Sequence, residues 1–244
     1  MYTSVIGFAR GLFALQGLRC TITGAENVPV SGGAVMAINH TGYLDFVFAG
    51  MAARPSGRLV RFMAKEQVFR HPVSGPLMRG MHHIPVDREA GAASYRAAVA
   101  ALKSGEIVGV FPEATISRSF ELKDFKNGAV RMAAAAGVPL LPTVIWGSQR
   151  IWTKGLPKRL GRTRTPVTIS VGAPIPVSRK DDAEQVLDEL RKAMTELLHA
   201  AQDGYPPLTG ADLRFLPARL GGTAPTPAQA EQLDRADSAP PAEQ

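Results

Sequence analysis

The stretch Asn39-His-Thr-Gly-Tyr-Leu-Asp45 lies between two apolar runs, Ala34-Val-Met-Ala-Ile38 and Phe46-Val-Phe-Ala-Gly50. This pattern predicts a buried strand that ends where the polar stretch begins. A turn through Gly42 and a helix that begins near Leu44 should follow. The strand and helix indicate an α/β fold, in which ligands bind beyond the carboxyl ends of the strands. The polar stretch is therefore a candidate functional site.

His40 and Asp45 have the spacing of a general-base pair. From the first helical turn, Asp45 can accept one imidazole N–H and fix the tautomer of His40. The other ring nitrogen would then be available to deprotonate a hydroxyl group. Spacing alone is not diagnostic, because His82 and Asp87 repeat it and a purely structural histidine is the alternative.

Length and composition indicate one globular domain with an anionic partner. A chain of 244 residues can bury one substantial core. The net charge is +7, and the segment from Gly221 contains four acids and one arginine, which leaves +10 for the remainder. Such a basic body suits an anionic membrane, a phosphorylated substrate or nucleic acid. The single cysteine, Cys20, excludes an internal disulfide and suits a reducing compartment.

The two ends of the chain differ from its centre. Residues 1–20 are apolar, but Arg10 lies in their middle, which disfavours both a secretory signal and a membrane span. They predict an apolar or amphipathic helix that lies in a membrane interface or packs on the domain. Residues 221–244 are rich in Pro and Ala and poor in apolar side chains, which predicts a disordered tail.

Strands and helices alternate between residues 21 and 220, which predicts a single layered α/β domain with a largely parallel sheet flanked by helices. The expected strands are 20–23, 34–38, 59–64, 83–86, 107–111, 140–146 and 167–171, and the main helices are 92–104, 128–136 and 181–201. Polar clusters at 39–45, 87–88 and 113–118 each follow a predicted strand. We therefore expect them to converge on one sheet edge.

Four blocks in this order resemble the glycerolipid acyltransferases, in particular the 1-acylglycerol-3-phosphate acyltransferase type. The resemblance extends from about residue 21 to 147, with its motifs in residues 34–147. The blocks are Asn39-His40-x4-Asp45, Gly80-x3-Ile84-Pro85-Val86-Asp87-Arg88, Val110-Phe111-Pro112-Glu113-Ala114-Thr115 and Val138-Pro139-Leu140-Leu141-Pro142.

The resemblance implies a role for each block. His40 would be the general base, with Asp45 as its orienting carboxylate. Arg88 corresponds to a position that binds the acceptor phosphate, Glu113 and its neighbours help to bind the acceptor, and Pro142 belongs to the acyl-donor side. The substrate-binding residues expected from the resemblance are Asn39, Arg88, Glu113, Ala114, Thr115, Ser117, Arg118 and Pro142.

The third block departs from the family pattern Phe-Pro-Glu-Gly-Thr-Arg-Ser. Ala114 replaces a permissive glycine, so the loop backbone can differ. Ile116 replaces an arginine that would bind phosphate. Arg118, or Lys123 and Lys126, are the candidates to supply the missing charge, and a solvated loop residue is the alternative for Arg118.

A basic stretch follows, with no acidic residue between Asp124 and Asp181. Its central part lies just after Trp146 and Trp152, a combination that suits contact with an anionic membrane or with the phosphates of CoA. A solvated basic loop is the alternative, and no nucleic-acid recognition motif is present. The predicted contact residues are Lys154, Lys158, Arg159, Arg162 and Arg164.

The resemblance implies transfer of a fatty acyl group from an acyl-CoA or acyl carrier protein thioester to 1-acyl-glycerol-3-phosphate, giving phosphatidic acid. No other cofactor is expected, and the five histidines lack metal-ligand spacing. The expected location is the cytoplasmic face of a membrane, as a peripheral or monotopic protein. The alternatives are a different lysophospholipid acceptor, or a non-catalytic lipid-binding protein of the same fold.

Overall fold

The computed structural model describes residues 2–87 and 91–238. Their strands are β1 (Arg19–Thr23), β2 (Ala34–Ile38), β3 (Val60–Lys65), β4 (Ile84–Val86), β5 (Ile107–Val110), β6 (Leu140–Trp146) and β7 (Pro166–Val171). Their α-helices are α1 (Tyr2–Gln16), α2 (Asp45–Ala52), α3 (Glu66–Arg70), α4 (Ser74–Gly80), α5 (Gly91–Lys103), α6 (Gly128–Ala136), α7 (Ala183–Asp203) and α8 (Pro227–Ser238). The predicted α/β class is confirmed.

The seven described strands form one sheet in the order β1-β7-β6-β2-β5-β3-β4. All neighbouring strands are parallel except β6 and β7, which are antiparallel, so the prediction of a largely parallel sheet is confirmed. Because β1 is parallel to β7, these two strands run against the rest. The beginning of β1 therefore lies at the same sheet edge as the carboxyl end of β2.

Both faces of the sheet are covered, and β2 shows this most clearly. All five of its residues are buried, as its continuous apolar sequence predicts. Val35 and Ala37 pack with residues of α5, α6 and α7 on one face. Ala34, Met36 and Ile38 pack with α2 and with Phe13 of α1 on the other. This period of two is that of a strand buried between helical layers.

The predicted bounds of β2, α6 and β6 are those of the structure. The segment around Pro72 forms two short helices, α3 and α4, as its sequence predicts.

Two of the three predicted polar clusters, 39–45 and 113–118, meet at the carboxyl edge of the sheet. Asp87 also follows a strand there, but β4 is three strand spacings from β2, or roughly 14 Å.

The predictions for both ends of the chain require correction. The N-terminal helix ends at Gln16 rather than near residue 20, because Gly17 adopts a left-handed conformation (φ 69°) and β1 begins at Arg19. The domain continues beyond residue 220, since Ala224 packs in the main core. The prediction of a disordered tail is wrong as far as Ser238, because residues 227–238 form α8.

The start of α8 has a capping box. The hydroxyl of Thr226 accepts the N–H of Gln229 at 3.3 Å, and the side chain of Gln229 accepts the N–H of Thr226 at 2.9 Å. Pro227 is the first residue of the helix, where the N–H that proline lacks would have no partner within the helix. The prediction of disorder rests on composition, which does not register a capping box.

Among the helices of the described residues, none is long and apolar enough to cross a membrane.

Candidate active site

His40 and Asp45 lie at the junction of β2 and α2, at the carboxyl edge of the sheet. The imidazole Nδ1 is 3.1 Å from Asp45 Oδ2, so the hydrogen bond predicted from the sequence is present. Asp45 is fully buried, whereas 19% of the His40 side chain is exposed. Within the described residues, Nε2 of His40 has no hydrogen-bond partner.

The carboxylate of Asp45 is held by three further donors. The N–H groups of Thr41 and Gly42 donate to Oδ2, each at 2.8 Å. The hydroxyl of Ser148, which follows β6, donates to Oδ1. An ionised carboxylate only accepts hydrogen bonds, so the proton of neutral His40 lies on Nδ1 and the lone pair on Nε2. The pair can therefore act as a general base through Nε2.

The third block fixes His40 from the opposite side. The ring of Phe111 stacks on the imidazole, with centroids 4.1 Å apart and planes inclined by 23°. Glu113 bridges the two loops: Oε1 accepts the N–H of His40 at 2.9 Å, and Oε2 accepts the N–H of Lys123 at 3.1 Å. These contacts fix both the ring and the main chain of His40.

Glu113 is buried within this bridge. Burial raises the pKa of Glu113 to about 8, although the hydrogen bonds from the N–H groups of His40 and Lys123 act in the opposite direction. Both oxygens are directed at main-chain donors. This geometry gives Glu113 a positioning role in the site, and the contact with the acceptor that the resemblance implies stays a prediction.

Three other predicted substrate contacts are also buried in the frame of the site. Asn39 exchanges two hydrogen bonds with the main chain of Ile145, at 3.0 and 2.7 Å. Pro142 is fully enclosed in β6, and its carbonyl accepts the N–H of Gly172. The hydroxyl of Ser117 donates to the carbonyl of Glu121 at 2.7 Å. The structure brings none of the three to the surface.

Ala114 adopts a left-handed conformation with φ 61°. It occupies the position where the family pattern has glycine, so the loop keeps the backbone that glycine would favour. The side chain of Ala114 is exposed, and the neighbouring Thr115 hydroxyl accepts a hydrogen bond from Lys123 Nζ at 2.9 Å. Ala114 therefore adopts, with strain, a conformation that glycine would adopt freely.

We expect Ala114→Gly to stabilise the protein by about 1 kcal/mol, because glycine removes the Cβ penalty of the left-handed region. The melting temperature should rise by about 2–4 °C, measured by thermal denaturation. Ala97→Gly is the matched control, since Ala97 is exposed within α5. That change should cost about 1 kcal/mol. Destabilisation by both substitutions would contradict the strain at Ala114.

The two predicted phosphate-binding arginines have different outcomes. Arg118 is half-buried and is paired with Asp234 and Asp237 of α8, so it is not a solvated loop charge. Arg88 lies outside the described residues, so its role stays a prediction. Ile116, in place of the family arginine, is buried.

The basic stretch divides into paired and exposed residues. Lys154 pairs with Asp234 and Asp237, and Arg159 pairs with Asp212, so neither is the free cation that the sequence suggests. The acidic partners come from distant parts of the chain, where sequence proximity gives no signal. The exposed residues are Lys158, which lies 4.3 Å from the Trp152 ring centroid, and Arg162 and Arg164.

Sequence reasoning missed two hydroxyl groups at the site, Ser148 and Thr153. Ser148 orients Asp45, and the hydroxyl of Thr153 donates to the carbonyl of Thr41 at 2.6 Å. Neither belongs to a recognisable motif. The position of β6 beside β2 was the available signal, because residues after neighbouring parallel strands share an edge.

The N–H groups of residues 40–43, the catalytic turn after β2, are already engaged. Those of His40, Thr41 and Gly42 donate to carboxylates, and that of Tyr43 donates to the carbonyl of Trp152. They leave no donor for a developing oxyanion. Within residues 2–87 and 91–238, no group of three or more His, Cys, Asp or Glu side chains is arranged to hold a metal ion.

Comparisons with known proteins show which family the chain is similar to. The family model described as acyltransferase matches residues 19–146. The chain is 33% identical over 178 residues to the 1-acyl-sn-glycerol-3-phosphate acyltransferase of Bacillus subtilis (strain 168), covering 71% of this chain and 81% of the relative. It is 30% identical over 202 residues to the enzyme of that name from Limnanthes douglasii, covering 81% and 67%.

A solved structure shares the fold. The 1-acyl-sn-glycerophosphate (LPA) acyltransferase PlsC from Thermotoga maritima superposes with a TM-score of 0.69 at 20% identity, covering 84% of this chain and 81% of that one. That structure shows the shared fold, and the family model and the Bacillus subtilis relative show that the chain belongs to the acyltransferase family. Within that family it is of the 1-acylglycerol-3-phosphate acyltransferase type.

Proposed function

We propose that this enzyme transfers a fatty acyl group from an acyl thioester to the free hydroxyl of 1-acyl-glycerol-3-phosphate, with phosphatidic acid as product. The observation that carries the proposal is the partly exposed side chain of His40, whose Nδ1 is bound to buried Asp45 and leaves Nε2 to act as the base. The relatives named above support the choice of acceptor.

The step balances without a further reagent. As the acceptor oxygen attacks the thioester carbonyl, its proton passes to Nε2 of His40. The tetrahedral intermediate then collapses, the C–S bond breaks, and the imidazolium returns the proton to the departing thiolate. Asp45 stabilises the imidazolium that forms between these two events. The thioester, from CoA or acyl carrier protein, is a co-substrate, and the proposal requires no metal or resident cofactor.

The acceptor phosphate requires fixed positive charge near His40. Arg118 and Lys123 follow the third block, and Lys154 joins them from the basic stretch. Their charge compensates for the buried Ile116, which cannot contact a phosphate as an arginine would. We assign the phosphate to this group of cations.

Acyl transfer by purified protein tests the proposal. The acceptors compared are 1-acyl-glycerol-3-phosphate, a zwitterionic lysophospholipid and a neutral monoacylglycerol, each with acyl-CoA and acyl carrier protein as donors. We expect kcat/KM to be highest for the phosphate-bearing acceptor. Preference for another lysophospholipid would keep acyl transfer and connect Ile116 with a changed acceptor. A folded protein without turnover on any acceptor would favour the non-catalytic alternative.

We further propose that the enzyme is a peripheral or monotopic protein at the cytoplasmic face of a membrane, docked through α1. Phe13 of this helix stacks on Phe48 of the domain, with ring centroids 4.8 Å apart. Phe8, Leu12 and Leu15 occupy another face and are 75%, 42% and 77% exposed. A helix that packs by one face and exposes an apolar stripe on another suits the membrane interface.

The basic stretch lies beside the end of α1. The side chain of Gln16 donates to the carbonyl of Leu160 at 2.8 Å, and the N–H of Arg164 donates to the carbonyl of Gln16 at 3.1 Å. Exposed Arg162 and Arg164 can therefore meet anionic headgroups while the apolar stripe enters the lipid. β1 follows α1 and begins at the sheet edge where His40 lies. Docking through α1 would therefore bring that edge to the membrane.

Vesicle sedimentation tests this docking. We expect the double change Phe8→Ser with Leu15→Ser to lower the partition coefficient onto anionic vesicles at least about 100-fold, because two large apolar side chains no longer enter the lipid. Val30→Ser is the matched control, since Val30 is 77% exposed but precedes β2 at the opposite sheet edge. Equal binding by the double variant and the wild type would exclude docking through α1.

A further inference from the structure

Three cationic side chains, Arg118, Lys123 and Lys154, meet beside the catalytic turn, and we name them the cation cluster. They come from three places in the sequence, yet all three contact the same carboxylate, that of Asp234. Arg118 is 13% exposed, Lys123 31% and Lys154 26%. The cluster is therefore a preformed, partly buried anion site, which the carboxylate of Asp234 occupies.

Each member of the cluster is tied to the turn that carries His40. The N–H of Ser117, next to Arg118, donates to the carbonyl of His40 at 2.7 Å. The N–H of Lys123 donates to the same carboxylate of Glu113 that holds the N–H of His40. Thr153, next to Lys154, is hydrogen bonded to the turn as described above. An anion in the cluster would thus lie close to the general base.

The carboxylates of α8 occupy this cluster. Asp234 accepts hydrogen bonds from Lys123 Nζ at 2.6 Å, Lys154 Nζ at 2.8 Å and Arg118 Nε at 3.3 Å. Asp237 lies 3.0 Å from Lys154 Nζ and also accepts from the Arg118 guanidinium. Burial tends to raise the pKa of Asp234, but the hydrogen bonds from Lys123 and Lys154 lower it below its ordinary value.

The carboxylates of Asp234 and Asp237 resemble a phosphate monoester in their charge and in their contacts with the cation cluster. Two ionised carboxylates supply two negative charges, and a phosphate monoester carries about 1.5 to 2 at neutral pH. Both groups present several acceptor oxygens to lysine and arginine. A single carboxylate that contacts all three cations uses the contacts that a phosphate would use.

Few apolar contacts hold α8 in place. Ala230 is buried, but it is the single buried residue among the described side chains of the helix. Leu233 is 42% exposed, and Asp237 is 48% exposed. The helix is therefore held mainly by the ion pairs of Asp234 and Asp237, which are 18% and 48% exposed, and an anion that takes over the contacts of these carboxylates would compensate the cations when α8 detaches.

We propose that α8 is an intramolecular competitor of the acceptor phosphate, with Asp234 and Asp237 occupying the cation cluster until a phosphate monoester displaces them. This inference rests on the proposed function for the nature of the displacing ligand. While its carboxylates occupy the cluster, α8 lowers the apparent affinity of the enzyme for the acceptor. Release of α8 makes the three cations available to the acceptor phosphate.

Binding of glycerol 3-phosphate to the full chain, measured by calorimetry without an acyl donor, tests the competition. We expect the double change Asp234→Asn with Asp237→Asn to tighten binding about tenfold, because the binding-competent form is then more populated. Glu231→Gln is the matched control: Glu231 is an exposed acid of α8 that pairs with Arg235, and its loss should leave the affinity unchanged. Adding Arg118→Gln to the double variant should abolish the gain.

Hydrogen exchange of the wild type provides a second readout that needs no variant. Glycerol 3-phosphate should accelerate exchange of the amides in residues 227–238 and leave exchange in β2 unchanged. Unaltered exchange of α8 under saturating ligand, or equal binding by the double variant and the wild type, would overturn the inference even if turnover is normal. Absent turnover on 1-acyl-glycerol-3-phosphate would contradict the proposed function and leave these binding results unaffected.

Discussion

Replacing His40 with alanine is expected to lower kcat for acyl transfer by about 10²–10⁴-fold, the usual contribution of a positioned general base. The change removes the only base that the geometry offers to the acceptor hydroxyl within the described site. It also removes the hydrogen bond to Asp45 and the stack on Phe111. Thiol release from the thioester donor measures the rate, and circular dichroism checks that the fold is retained.

His82→Ala is the control for this prediction, because His82 and Asp87 repeat the spacing of the catalytic pair. His82 lies in an exposed turn after α4, with φ 57°, and not at the carboxyl end of a central strand. Its removal should change kcat less than twofold. Equal losses in the two variants would contradict the assignment of His40, and so would full activity of His40→Ala.

The sequence predicts the central sheet well because the signal for a buried parallel strand is local. β2 and β6 are continuous apolar runs between turn-forming residues, and their bounds are correct. The helix α6 is equally clear, since Ala-rich sequence ends at Gly137 with φ 68°. The apolar runs do not indicate strand direction: β7 pairs antiparallel with β6, at separations of 22 to 28 positions, and β1 pairs parallel with β7, at a separation of 147 positions.

The same distinction applies to the site. The contact between His40 and Asp45 is predictable, because both residues belong to one strand–turn–helix unit. The hydroxyl of Ser148 is 103 residues from Asp45 in the sequence, and its role follows only from the neighbouring positions of β2 and β6. The resemblance to a family names positions such as Glu113 but does not distinguish a substrate contact from a buried bridge.

The largest difference between the sequence-based prediction and the structure is α8, which the composition of residues 221–244 predicts to be disordered. Low apolar content predicts disorder when burial is the expected source of stability. This helix is held instead by a capping box and by ion pairs with the cation cluster, whose members are about 80 to 116 residues away. The acidic end and the basic body of the chain were visible in the sequence as separate features. Their complementarity became visible only in the fold.

Asp45→Asn is expected to lower kcat at least about 100-fold, because the imidazolium formed during transfer loses its charged partner. Asparagine can still accept from Thr41 and Gly42 through one oxygen, so the turn should keep its shape. Replacing charge-assisted hydrogen bonds with neutral ones should lower the free energy of unfolding by about 1.5–3 kcal/mol. Steady-state kinetics and chemical denaturation measure the two effects, with Asp188→Asn on the exposed face of α7 as the neutral control.

Ser148→Ala separates the charge of Asp45 from its orientation. The alanine variant keeps the carboxylate but removes the donor to Oδ1, so we expect a smaller loss, about tenfold in kcat, and a cost of about 1 kcal/mol in stability. If Ser148 acts only through Asp45, combining its removal with Asp45→Asn should add little to the kinetic loss. Full additivity of the two losses would mean that Ser148 contacts the substrate directly, and unchanged kcat in Asp45→Asn would show that His40 acts without a charged partner.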